Sequence, residues 1–525
     1  MKAKKLWSLL LVTALTASLL AGCGGKKDEQ GAAGNDTQTE ESGDVAGGEE
    51  GYSTEIDMEE EPYTVAIQVV TLPGTQFEGE EEREAAINAI TEPAINCKVD
   101  IQEVWISEIA NTTSMAIAGD EKIDLVHVAT VQTISSMVGS EMLYDMNEGN
   151  LLQNRGQKLV ELFGDLLATG NVAGQQLAVP AKIYNANARG IGYNKTMADA
   201  LGITIPDTIT WEDLDKILYE VHEKNPDVMT YYTGSGELNY LYWLQGYATY
   251  GTESSYGVIL DPNNSTTIEN LYATDLFKDY CLKAWQWTQD GIQPGDPTDT
   301  STAQDYFNAQ KLFCVVGTIN EEQATTWGAT AAQNGFECAW SQLVGPTIGN
   351  ADVTEYMWGI ASNSERPDKA MDFLNFLYSN AEVGNILKYG LEGVNYNFAE
   401  GSDKIIIPNG SYLPLFYQGG NYAEMLIQAP AGEDYIQKME AMNAAATVSP
   451  LCGYMFDDSA FQTESSVIYS TILEYLPRLQ NGMCESEEAT LALIDEFNAK
   501  LEASGINDVI AENQTQLNEY LEIGQ

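Results

Sequence analysis

Side chains able to do acid–base or nucleophilic chemistry are unevenly supplied in this 525-residue sequence, which has 78 Asp and Glu but only two histidines. His127 lies in the apolar run Ile123-Asp-Leu-Val-His-Val-Ala129, a setting for a hydrogen-bonded core residue rather than a working base. His222 follows the apolar face of a helical segment and is expected at the surface. The sequence has no Gly-x-Ser-x-Gly elbow, His-Glu-x-x-His pair or phosphate-cradling glycine loop, so catalysis is not expected. A pair of carboxylates for glycoside hydrolysis could be assembled from so many acids, and that abundance makes the possibility uninformative. Asp261-Pro-Asn-Asn264 and Gly295-Asp-Pro-Thr-Asp299 read as turns before they read as calcium loops. Neither a metal nor a cofactor is expected.

Recognition is better supplied. The chain carries 28 Tyr and 9 Trp, whose rings pair a flat apolar face with a polar edge. Such faces suit the C–H side of a pyranose, while Asn, Gln, Asp and backbone groups suit its hydroxyls. The densest aromatic stretch is Asn239 to Tyr250, where Tyr240, Trp243 and Tyr247 share one face if it is helical; a core role for that face competes. Ligand contacts in α/β sheets gather beyond the carboxyl ends of strands. That rule selects Thr130 and Gln132, then Lys182, Tyr184 and Asn185, then Thr318 and Asn320, with Trp327 downstream and Trp358 as a further candidate.

The elements that must position these residues alternate. Strand patterns occupy Tyr63–Val70, Cys97–Trp105 and Ile123–Ala129, with a short one ending at Pro180. Helical patterns occupy 80–95, 211–224, 367–378 and 488–501; Thr210 and Asp213 form a capping box for the second, and Pro367 opens the third. The alternation predicts an α/β fold with a largely parallel sheet. A chain of this length exceeds one hydrophobic core, so two lobes are expected.

Net charge is −53, with only 25 Lys and Arg. Such a field repels nucleic acid and favours a neutral or cationic ligand. Residues 1–22 combine a basic start with an apolar run too short to span a bilayer. Residues 23–61 are small, polar and acidic, a composition that predicts a disordered stalk. The remaining cysteines, Cys97, Cys281, Cys314, Cys338, Cys452 and Cys484, are dispersed, and disulfides and buried thiols both stay open.

Several motifs carry resemblances. Leu20-Ala-Gly-Cys23 resembles the bacterial lipoprotein signal, which implies cleavage before Cys23, lipid on its thiol and anchoring at the outer face of the cell membrane. Gly192-Tyr-Asn-Lys195, Ala200-Leu-Gly-Ile203 and Thr210-Trp-Glu-Asp213 resemble the family 1 extracellular solute-binding proteins of ABC importers. Asp305 to Phe313 stands where that family carries Phe-x-x-Gly-Lys, and departs from it at Ala309-Gln310. Ile360 to Met371, Tyr389 to Tyr396 (with Asn395 where His is usual), Gly453 to Asp457 and Ser504 to Leu517 resemble a lipoprotein branch with a distinctive C-terminal domain.

The resemblance implies a two-lobed, periplasmic-binding-protein-like fold with the ligand cleft between the lobes. It places lobe one at 62–187 plus 315–362 and lobe two at 190–310 plus 368–525. Hinges are expected near 188–190, 309–312 and 362–367. It further implies a monomer that binds an oligosaccharide without reacting and delivers it to membrane permease subunits. Peptides or polyamines are the alternative ligands, and a tethered adhesin or a surface glycoside hydrolase the alternative roles.

Overall fold

Tyr63–Thr71 (YTVAIQVVT) is rich in β-branched residues and buried on both faces from Val65 onward, the pattern of a central parallel strand. The computed structural model describes residues 51–523, except 78, 131, 133, 233–246 and 295–301, and describes Phe416 without its side chain. Cys23, Tyr240, Trp243 and the Gly295–Asp299 turn therefore lie outside the described residues, as does the stalk up to residue 50.

Ten strands build two five-stranded sheets: β1 (Tyr63–Thr71), β2 (Cys97–Trp105), β3 (Leu125–Val128), β4 (Val179–Pro180), β5 (Asn187–Asn194), β6 (Met229–Tyr231), β7 (Leu312–Ile319), β8 (Cys338–Ile348), β9 (Met357–Ile360) and β10 (Thr447–Val448). The first sheet has the order β2-β1-β3-β9-β4 and the second β10-β8-β5-β7-β6. In the first, β1 runs parallel to β2 and β3, and β9 is antiparallel to β3 and β4. In the second, β5 is antiparallel to both β7 and β8. The largely parallel sheet expected from alternation is thus corrected: both sheets are mixed, because the chain enters each one from the other lobe as well as from its own helices.

Each sheet carries its own core. Val65, Ile67, Val99, Trp358, Phe373 and Leu374 belong to one apolar cluster, and Leu214, Phe277, Trp287, Phe313, Ile472 and Phe497 to another. The Trp211–Lys224 helix forms as its capping box requires: the Asp213 amide donates to Thr210 Oγ1 at 3.1 Å and the Thr210 amide to Asp213 Oδ2 at 3.0 Å. Its buried stripe of Leu214, Ile217, Leu218 and Val221 faces the second core.

The partition of the chain differs from the expected ranges at three places. Residues 315–348 contribute β7 and β8 to the second sheet, not to lobe one. The Pro367–Leu377 and Ala381–Tyr389 helices pack on the first core, not on lobe two. Residues 51–61 are not a free stalk: Tyr52 donates its amide to Gly149 and its hydroxyl meets that of Tyr144 at 3.0 Å. Glu60 bridges Arg366 at 3.0 Å and Lys369 at 2.8 Å, and these cations hold its carboxyl down to about 2. Sparse apolar content concealed this docking, which rests on hydrogen bonds, one charge cluster and the packing of Tyr52 and Ile56 on the first core. Among the described residues no helix is long and apolar enough to cross a membrane, and all six cysteines described are unpaired.

His127 sits inside the first sheet, 4% exposed, with Nε2 2.9 Å from the Gln68 carbonyl and Nδ1 3.1 Å from the Tyr417 hydroxyl. Burial pushes its imidazolium down to about 4. Its ring signals in an NMR titration should therefore hold steady from pH 8 to pH 5, where a midpoint near about 6.5 would contradict the placement. In β5, a Cβ at Gly190 would fall 2.1 Å from the Ser341 carbonyl oxygen, so the β5–β8 approach needs glycine there. Gly190→Ala is expected to cost about 1–3 kcal/mol in denaturant unfolding. Gly317→Ala, on β7 with open space around the added carbon, should be near neutral.

Candidate functional site

Three chain segments cross between the sheets: residues 181–186 from β4 to β5, residues 349–356 from β8 to β9, and residues 429–446 leading into β10. The expected hinges at 309–312 and 362–367 fall inside the lobes instead, and the first expected hinge lies a few residues past its crossing. A polar cluster ties the crossings together. Asn187 Nδ2 donates to Asp352 Oδ1 at 2.8 Å, and Asn187 Oδ1 accepts from Asn320 Nδ2 at 2.8 Å. Arg189 donates to Thr347 Oγ1 at 3.0 Å and to Asp352 at 3.3 Å. Asn443, in the Tyr435–Ala445 helix, accepts from the backbone amides of Asn185 and Ala186. A small apolar cluster of Ala186, Ile348 and Val353, with Met442 and Ala446 against it, covers the same junction.

Above this junction lies a cleft of about 1180 Å³ lined from both lobes and from all three crossings. That exceeds the roughly 300–1,000 Å³ of a site for one drug-sized molecule, so the space fits a ligand of several units. Its aromatic lining is tyrosine: Tyr184, Tyr356, Tyr389 and Tyr422 on the first-lobe side, Tyr247, Tyr250, Tyr256 and Tyr454 on the second, and Tyr435 from the third crossing. Phe456 adds one more ring. Tyr356 stacks on Tyr417 with centroids 4.2 Å apart, and Tyr422 exchanges hydrogen bonds with the Tyr184 backbone. Burial raises the phenols of Tyr247 and Tyr256 to about 12, so they stay neutral donors and acceptors at physiological pH.

The cations of the cleft are engaged. Lys182 donates to Glu355 at 2.6 Å and lies over the Tyr356 ring. Arg189 is held by Asp352. Lys388 donates to the Pro414 carbonyl at 2.9 Å, and burial pushes its ammonium down to about 8. Glu322, in the same cleft, has its carboxyl raised by burial. Lys182 and Arg189 would meet an anion already ion-paired, whereas a neutral, hydroxyl-rich molecule would meet tyrosine faces, amides and hydroxyls.

Of the residues selected from the sequence, Lys182, Tyr184, Tyr247, Thr318 and Asn320 line this cleft. Thr130 lies behind the lining, its hydroxyl 3.1 Å from that of Tyr417. Gln132 turns away to Ser136, in the following Ile134–Gly139 helix, and to Met142 beyond it. Asn185 is 2% exposed and donates to the Lys182 carbonyl, which makes it part of the junction. Trp327 packs with Phe307 and Trp340 in the second lobe. Trp358 is corrected outright: it is 0% exposed, its ring 4.2 Å from that of His127, because β9 is a central strand and turns that side chain into the core. Sequence reasoning missed Tyr356, Tyr389, Tyr422, Tyr435 and Tyr454. Tyr356 lies in a crossing just before β9, and the others lie on helices or loops of the C-terminal part, where no strand's carboxyl end announces them; Tyr389 and Tyr454 did stand within the family-like motifs.

A curated relative, the carbohydrate ABC transporter substrate-binding protein of Streptococcus pneumoniae serotype 4, is 24% identical over 458 residues, covering 84% of this chain and 88% of its own. The crystal structure of the N-glycan transport solute-binding protein NgtS from Streptococcus pneumoniae superposes with a TM-score of 0.74 at 21% identity, covering 88% of this chain and 100% of that one. The structure of NgtS in complex with Man1GlcNAc, at the same identity and coverage, gives 0.63. Residues 450–522 match a family described as a domain of unknown function. The family described as bacterial extracellular solute-binding protein matches residues 97–383, more than half of the sequence, and this chain belongs to it.

Proposed function

We propose that this protein captures a neutral oligosaccharide between its two lobes, without turning it over, and delivers it to the permease of an ABC importer. The observation that carries the reading is the cleft itself: two-sided, large enough for several sugar units, lined largely by tyrosines and uncharged hydrogen-bonding groups, with Lys182 and Arg189 already ion-paired. The sugar-transport relatives and their glycan complex support the ligand class. Lys182, Tyr184, Tyr247, Thr318 and Asn320 are the contacts retained from the sequence reading, joined by Tyr356, Tyr389 and Tyr435. Trp243 stays a candidate from the sequence alone.

The lipoprotein-like Leu20-Ala-Gly-Cys23 supports anchoring through Cys23 at the outer membrane face as a monomer, with two acyl chains needed for stable attachment. A cationic ligand is the second reading, favoured by the carboxylates of Glu321, Glu322 and Glu355 along the cleft.

A thermal-shift panel of neutral glycans, peptides and polyamines separates the two. A neutral glycan at 100 times its Kd should stabilise the fold by about 2.7 kcal/mol; stabilisation by polyamines alone would refute the sugar reading. Tyr435→Ala should weaken glycan binding by about 2 kcal/mol in calorimetry. That residue is half-buried on the third crossing, so unfolding should barely change. Cys23→Ser should move the protein from the membrane fraction to the medium.

A further inference from the structure

The first-lobe floor of the cleft follows the strand order of the first sheet. Lys182 follows β4, Tyr356 precedes the antiparallel β9, Ala129 follows β3 and Leu72 follows β1, and all four line the cavity. The next strand in that order is β2, at the edge of the sheet. It ends on Trp105, in register with Thr71. One strand spacing, about 4.8 Å, therefore separates the last lining strand from the backbone that carries Trp105.

That indole is 40% exposed, and the Phe77 ring, 41% exposed, lies beside it with centroids 5.7 Å apart. Exposed large aromatics normally find cover, and a pair of them on a rim is informative where scattered ones are not. The pair is also held in place. The Ile106 amide donates to the Thr71 carbonyl at 3.0 Å and Val104 is buried beneath, which fixes the end of β2. The Leu72 amide donates to Leu413 at 2.9 Å and the Gln76 amide to Ser411 at 2.8 Å, which pins the connection carrying Phe77. On this side Leu72, Pro414 and Leu415 line the cleft, and Leu415 also packs on the cluster of Val70, Val104 and Ile109.

Resting on the oligosaccharide reading, we infer that Phe77 and Trp105 form an outer stacking platform, which takes the C–H face of a sugar unit that projects beyond the cleft. Preorganised rings add contact at little ordering cost. The cleft then sets which sugars bind, and the platform sets a preference for longer chains.

The test is a titration of wild type, Phe77→Ala and Trp105→Ala against an array of neutral oligosaccharides from two to about nine units. Melting temperature serves as the folding control, and affinities are compared well below the melting temperature of each variant. Wild-type affinity should rise with chain length. Each variant should lose about tenfold for the longest chains and keep wild-type affinity for the shortest. Wild-type affinity independent of length, variants that match wild type at every length, or an equal loss at every length would overturn the platform. Unchanged glycan affinity with slowed uptake in cells would reassign the rim to permease contact and overturn it too. Absence of any glycan binding by wild type would instead refute the oligosaccharide reading, and the platform with it.

Discussion

The side-chain amide of Asn187 is the interaction on which the rest of the structure depends. It stands at the start of β5, 8% exposed, with its donor on Asp352 and its acceptor on Asn320. It therefore joins the first crossing, the second crossing and the cap of the Glu321–Gln333 helix, whose Gln323 amide donates to Asn320 Oδ1 at 2.8 Å. Buried amides are costly when unpaired and strong when fully paired. Around this point each lobe is free to have its own sheet and core, while the crossings on either side carry little strand pairing. Rotation about such segments changes the width of the cleft without breaking either core.

The same economy governs charge. A chain of net charge −53 pairs two of its cleft cations, Lys182 and Arg189, with carboxylates and rests a third, Lys388, on a backbone carbonyl. Burial acts in the same direction, lowering the Lys388 ammonium and raising the Glu322 carboxyl. Tyrosines whose phenols are pushed up by burial remain neutral and can both donate and accept. Beside the carboxylates of Glu321, Glu322 and Glu355, the lining is one of rings and neutral hydrogen-bonding groups.

Periodicity and capping made the elements legible: the helices at 80–95 and 211–224 and the strand at Cys97–Trp105 form where the pattern places them. Local signals say nothing about which sheet a strand joins. That is why residues 315–319 of β7, read as lobe one, pair with β5 in the second sheet. The site was half legible for the same reason. Contacts at strand ends, such as Lys182 and Thr318, follow from the α/β rule, whereas Tyr422 and Tyr435 enter through a long excursion after the Ala381–Tyr389 helix. Trp358 shows the limit from the other side: aromatic type suggests stacking, but position on a central strand decides burial.

The central claim is that ligand is held by closure of the lobes about the three crossings. Small-angle scattering of the stalkless protein, with and without a saturating glycan that raises its melting temperature, tests this most directly. The account predicts a smaller radius of gyration in the bound state; an unchanged or larger radius at saturation would contradict it.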